Sequence, residues 1–287
     1  IASRDPALHE PALRVHKRIC TRGVGKPFKT IESVPELISV VADVMECHTA
    51  ILERCGILHR DLSTGNILVR RDENERARGM LIDFDHAIRT NNKGHVPHAE
   101  RTGTWPFLSI NNLENVDPFR HPASRNNAVT ALDDWESLIY ILCWVGTLGW
   151  NSKTRALVVR GKARVIDAWD TPPMAIIADA KRLRLQNSNG FKTITNQFLN
   201  VPGREDLQQL AKNLHRILVC EHKNENHQGT WVKEIRIAPS ETVTEIDPIG
   251  ERAGRWREIS KALLAEIRRT AEIQRAEIKC AEKAAEK

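Results

Sequence analysis

Residues 56–87 read GILHRDLSTGNILVRRDENERARGMLIDFDHA, and the reading of this stretch decides the fold. Its apolar runs are short: Ile57-Leu58, Ile67-Leu68-Val69 and Met80-Leu81-Ile82. Each is bounded by charged or turn-forming residues, which predicts strands of a small hairpin and not a helix. His59-Arg60-Asp61 follows the first run, Asn66 opens the second, and the third delivers Asp83-Phe84-Asp85. Asp61, Asn66 and Asp83 therefore fall at strand ends or on tight loops, where one hairpin is expected to aim three oxygen-bearing side chains at one point.

Two carboxylates and a carboxamide gathered in this way suit phosphoryl transfer from a nucleotide held with magnesium. That ion is hard, prefers oxygen, and usually takes one or two protein carboxylates beside phosphate and water. Asp83 is then the metal carboxylate and Asn66 a second metal ligand. Asp61 orients the acceptor hydroxyl and takes its proton. A single aspartate on a loop is structural far more often than catalytic; the joint spacing of the three, flanked by strands, separates this stretch from that ordinary case.

Working outward, Ser33 and Glu36 form a capping-box pattern with Pro35 in the first turn. Leu37, Val40, Val41, Val44, His48, Ile51, Leu52 and Cys55 recur at helical spacing and Gly56 closes the end, so a helix leads into the hairpin. His48, on the apolar side, reads as a satisfied core histidine. Upstream, residues 1–12 are polar and interrupted by proline, Leu13–Thr21 alternates like a strand, and residues 22–27 form a flexible connector. Downstream, Asp133-Asp134-Trp135-Glu136-Ser137 opens a strongly apolar helix, LIYILCWVGTLGW, whose acidic start suits a helix amino terminus. One of the two aspartates is expected to do no more than cap it. Trp135, Tyr140 and Trp144 read as core. Residues 175–185 and 207–219 are amphipathic. Residues 221–254 turn polar, and His222 and His227 there lack partners of metal-binding type. Residues 255–287 form a highly charged helix whose stripe of Trp256, Ile259, Leu263 and Ile267 predicts docking by the first turns and offers a candidate partner surface.

At 287 residues the chain can bury a sizeable core, and 41% hydrophobic with 28% charged residues is ordinary for a globular protein. The net charge of +6 comes without a compact basic block interleaved with aromatics, so nucleic-acid binding is not expected. Six cysteines without a C-x-x-C pair fit free thiols and an intracellular setting better than a disulfide frame or a zinc site. The longest apolar run, residues 138–145, is too short to span a bilayer.

The motifs HRDLSTGNIL, LIDFDHAI, GTWPFLS and DDWESLIYIL occur in the order found in kinases, and together they resemble the fungal-type protein kinases over about residues 13–220. The S-I-N at Ser109-Ile110-Asn111 resembles the casein-kinase-one branch, where it replaces A-P-E. The resemblance implies a mainly α (α+β) fold, the carboxy-terminal lobe of a protein kinase with a short β-hairpin catalytic region. It divides the chain into a remnant of the amino-terminal lobe and hinge (1–30), the lobe itself (31–220), and a polar linker with a charged helix (221–287). It also implies ATP and Mg2+ as cofactors and a protein as substrate. Thr21 and Gly23 would then lie at the hinge that receives adenine. Arg60 would clamp the activation segment (88–109), Thr104 would hydrogen-bond near Asp61, and Asp134 would hold the backbone of His59-Arg60; His59 packs and is not the base.

Ser63 stands where serine/threonine kinases commonly carry lysine, and Asp85 replaces the usual glycine; the first removes a cation from the transferred phosphate. No G-x-G-x-x-G or V-A-I-K stretch precedes the hinge, and the sequence begins at Ile1 without methionine. A fragment largely lacking the amino-terminal lobe, with weak or no activity alone, is therefore expected. A non-catalytic scaffold and a small-molecule phosphotransferase share parts of this pattern. GTWPFLS and DDWES favour a protein kinase over the latter.

Overall fold

The computed structural model describes residues 24–89, 103–116, 129–150, 157–158, 164–171, 173–185, 188–199, 201–220 and 248–285. Thr21, Gly23 and the strand expected over 13–21 lie outside these residues, as do most of the activation segment and His222 and His227.

Ser33 starts the first helix for a local reason. Its side chain accepts from the Glu36 N–H, Pro35 sits in the first turn, and the Glu36 carboxylate reaches back to the Glu32 N–H at 3.0 Å. Helix α1, Val34–Cys55, ends at Gly56, whose left-handed φ of 62° costs glycine little and whose N–H returns to the Leu52 carbonyl. The chain then makes the strands predicted for it, in a different arrangement. Strand β1 (Lys26–Pro27) pairs antiparallel with a middle strand (Ile67–Arg71), which pairs with Ala77–Leu81. Residues 57–58 do not join this sheet. They form β2 (Ile57–Leu58) and pair with a strand at Ile88–Arg89. In chain order the three remaining strands are β3 (Ile67–Arg71), β4 (Ala77–Leu81) and β5 (Ile88–Arg89).

The β3–β4 register runs from Ile67 opposite Leu81 to Arg71 opposite Ala77, so the third strand begins and ends earlier than the apolar run at 80–82. The cause is the tight reversal between them. Asp72 accepts from the Asn74 and Arg76 N–H groups at 2.9 and 3.0 Å, and Glu75 takes φ 58°. Ile82 lies beyond the ladder and donates its N–H to the Asn66 carbonyl at 3.0 Å. Strand β4 lies directly on α1: a Cβ on Gly79 would stand 2.4 Å from the Val40 carbonyl oxygen, and the Gly79 N–H bonds Asp43 at 2.8 Å.

Helix α2 covers Ile110–Val116 and α3 covers Ala131–Thr147. Thr130 caps α3, and Asp133 returns the bond to the Thr130 N–H at 2.8 Å, completing a capping box. Nearly every residue of α3 is buried, which its continuous apolar run required. A two-residue ladder, β6 (Gly149–Trp150) with β7 (Leu157–Val158), follows. Helices α4 (Met174–Leu185), α5 (Ser188–Thr195) and α6 (Arg204–His215) then pack in sequence, and α6 runs on into a π turn at Arg216–Cys220. Among the described residues the architecture is mainly helical with three small antiparallel sheets.

The charged stretch forms α7, Pro248–Ala285, and lies against α1 and α6. Its buried side chains are Ile259, Ser260, Leu263, Ile267, Thr270, Ala271 and Gln274. Docking therefore extends well past the first turns, because small and polar residues continue the stripe where the large apolar ones stop. From Ile259 to Gln274 that stripe is spent inside the molecule on α1 and α6; the Trp256 side chain lies outside the described residues. Among the described residues Cys47, Cys55, Cys143 and Cys280 are free, and no helix is long and apolar enough to cross a membrane.

Candidate active site

Asp61 is the centre of the arrangement. The Asn66 side-chain amide donates to the Asp61 backbone oxygen and to its Oδ2, each at 2.9 Å, while the Thr104 N–H donates to Oδ1 at 3.1 Å. Both partners of the Asn66 nitrogen are acceptors only, which fixes the amide orientation and leaves Oδ1 as its remaining polar atom. The two carboxylate oxygens are thus held by separate segments, one by the start of β3 and one by the turn at residues 103–108.

The loop carrying Asp61 is gripped from beneath. Asp134, in the first turn of α3, accepts the His59 N–H at 3.0 Å and the Arg60 N–H at 2.9 Å. These successive amides converge on one carboxylate because Arg60 adopts a left-handed φ of 69°. Neither aspartate at the head of α3 merely caps it: Asp133 caps the helix and also binds the 109–111 turn, while Asp134 holds the loop. His59 is buried with both ring nitrogens engaged. Nε2 donates to the Ile82 carbonyl at 3.0 Å, Nδ1 accepts the Asp61 N–H at 3.3 Å, and the ring stands edge-on to Phe84 at 4.7 Å. No ring nitrogen remains for proton transfer. The Arg60 Nε is buried without a hydrogen-bond partner, and burial lowers the guanidinium's pKa against the raising influence of Asp134 and Asp133.

Asp83 sits at the far end of the hairpin, exposed, with φ 63° and its Oδ1 accepting from the Asp85 N–H at 3.4 Å. A left-handed backbone at a non-glycine residue costs roughly 1–3 kcal/mol. The Ile82–Asn66 backbone bond keeps this corner beside the Asn66 end of β3. Among the described residues, no group of three or more His, Cys, Asp or Glu side chains could hold a metal by itself. An exposed aspartate and a carboxamide oxygen are hard donors that suit magnesium only when other oxygens complete its shell. Ser63 is buried, at 1% exposure, and supplies no cation to the site.

Contacts with α3 and α4 complete the frame of the 103–111 turn. Ser109 and Asn111 donate to Asp133 at 2.7 and 3.2 Å, and the Ile110 N–H bonds Glu136 at 2.8 Å. Lys181 of α4 is fully buried. Its Nζ donates to the Leu108 and Trp105 carbonyls at 2.5 and 3.2 Å and lies 4.0 Å from the Tyr140 ring centre. Burial pulls its pKa well below the ordinary lysine value. A half-buried ion pair, Glu114 with Arg182, joins α2 to α4.

A family profile described as fungal protein kinase matches residues 3–146, half of the chain. The chain belongs to the fungal protein kinase family. The comparison with curated proteins finds no match. The matched span contains α1, the hairpin with Asp61, Asn66 and Asp83, and most of α3 with Asp134. Lys181 and α7 lie beyond it.

Proposed function

We propose that this chain carries the phosphotransfer site of an ATP-dependent protein kinase of the serine/threonine type, moving the γ-phosphate of ATP to a protein hydroxyl. One observation carries the reading: the Asp61 carboxylate is held at both oxygens, by Asn66 and by the Thr104 N–H, on a loop anchored to α3 through Asp134. Phosphoryl transfer depends on positioning and charge neutralisation more than on covalent steps by the protein, and a carboxylate locked in place meets that need. Asp61 orients the acceptor hydroxyl and receives its proton. Asp83 and Asn66 are the residues that would hold magnesium, which supplies charge neutralisation on the phosphates. Arg60 is the residue that would clamp the activation segment, as the family resemblance implies. The scaffold alternative differs by lacking any response to nucleotide.

The reading is tested by unfolding the chain with and without Mg-ATP. At about one hundred times Kd, ligand binding stabilises by about 2.7 kcal/mol, a rise in Tm of roughly 5–10 °C. The rise is expected in the wild type and largely lost in Asp83→Asn. A wild-type chain indifferent to Mg-ATP would overturn the proposal.

A further inference from the structure

His48 lies in the interior of α1, 11 residues before His59, with 2% of its surface exposed. Its Nε2 is 2.7 Å from Asp134 Oδ2, and its Nδ1 is 3.3 Å from the Trp135 indole nitrogen. The indole N–H only donates, so Nδ1 must accept, and the proton of a neutral ring sits on Nε2, where it faces the carboxylate. Asp134 Oδ2 thus takes two donors, His48 Nε2–H and the His59 N–H, while Oδ1 takes the Arg60 N–H. Asp134 is 1% exposed, and a buried carboxylate is tolerated only when its lone pairs are filled.

We propose that His48 is a positioning residue of the phosphotransfer site: held in one tautomer by Trp135, it completes the bonding of Asp134 and so fixes the His59–Arg60 backbone that carries Asp61. The backbone there needs such support. Arg60 sits at φ 69°, a conformation a non-glycine residue keeps only where its surroundings over-determine it. Without His48, Oδ2 retains a single donor and the carboxylate is free to rotate away from one of the two amides. The effect reaches Asp61 through two links. Asp61 follows Arg60 in the chain, and its own N–H is bonded to the His59 ring. His48 touches no reacting group; it acts through Asp134. The kinetic part of this assignment rests on the function proposed above, but the structural part does not.

The test compares the wild type with His48→Leu and His48→Gln. Glutamine offers an acceptor and a donor separated by one carbon, as the two imidazole nitrogens are, so it can serve both Trp135 and Asp134. Amide hydrogen exchange at His59 and Arg60 is expected to quicken about tenfold or more in His48→Leu and to return to within about threefold in His48→Gln, with α6 amides unchanged. Side-chain nitrogen spectra of the wild type are expected to show His48 protonated at Nε2 alone, a measurement that needs no variant to fold. Where transfer is measurable, kcat falls about tenfold in His48→Leu with the KM for ATP unchanged, and glutamine restores it. Equal protection of the two amides in wild type and His48→Leu, or a ring protonated at Nδ1, would overturn the assignment. A wild type indifferent to Mg-ATP counts against the proposed function and leaves exchange and tautomer to decide the role of His48.

Discussion

Asp61 makes two hydrogen bonds through its carboxylate, and replacing one oxygen by nitrogen separates its chemistry from its packing. In Asp61→Asn the remaining oxygen still accepts the Thr104 N–H, while the new amide faces the Asn66 amide and that contact is lost. The half-buried site limits the stability cost to about 1 kcal/mol. Where transfer is measurable, loss of the proton acceptor is expected to lower it by roughly 10²–10⁴-fold in a labelled-ATP assay. Ordinary transfer by the variant would remove Asp61 from this role. Short loops placed Asp61 and Asn66, whereas the hold of Asp134 on the His59–Arg60 backbone was implied by the family resemblance and is present here. Lys181 was not legible. A lysine inside an amphipathic helix reads as solvated, and nothing near it announces two carbonyls 73 and 76 residues earlier in the chain. His48 was legible only as a core residue, since its partner lies 86 residues away.

Local signals set the elements, and distant contacts set their partners. The Ser33 cap and the Gly56 end of α1 rest on neighbours within four residues and could be read directly. The pairing of β2 with β5, and not with the hairpin, depends on where residues 88–89 return, which no alternation pattern encodes. Helices α4, α5 and α6 meet at a point that is testable by pH. His215 of α6 stacks on Phe191 of α5 at 4.1 Å, and its Nε2 donates to the Leu185 carbonyl at the end of α4 at 2.9 Å. Burial pushes its pKa down to about 4, against the raising effect of that hydrogen bond. Between about pH 4 and the unfolded value near 6.5, the unfolded chain binds the proton that the folded one refuses. Stability contributed by the neutral ring is therefore complete above this window and falls as pH drops through it, by roughly 3 kcal/mol in all. His215→Gln keeps a donor for Leu185 without titrating. The difference between wild-type and variant stability, followed by denaturant unfolding from pH 7 to 4, is expected to change by about that amount. A constant difference would show that the ring takes its proton without loss.

Across the whole molecule α1 is the shared wall. One side meets β4 so closely that only glycine fits at residue 79, His48 holds Asp134, and Thr49 turns to α7, its hydroxyl 2.9 Å from that of Ser260. The sequence showed that α7 was helical and charged but understated its docking, because Thr270, Ala271 and Gln274 carry little hydrophobic signal and are nevertheless buried. The contact is secured by packing more than by charge. Arg268 and Glu46 form an exposed ion pair, worth at most about 1 kcal/mol, whereas Leu263 is 3% exposed. Leu263→Ala is expected to cost roughly 2–5 kcal/mol. If α7 is an integral layer, that cost lowers the midpoint of one cooperative denaturant transition and leaves its slope unchanged. If α7 were an appendage, the variant would release it in a separate early step and leave the main transition where it was. Fluorescence and far-ultraviolet dichroism followed together distinguish the two outcomes. Coincident, shifted curves place α7 within the cooperative unit that also holds the Asp61 loop, since both rest on the same helix.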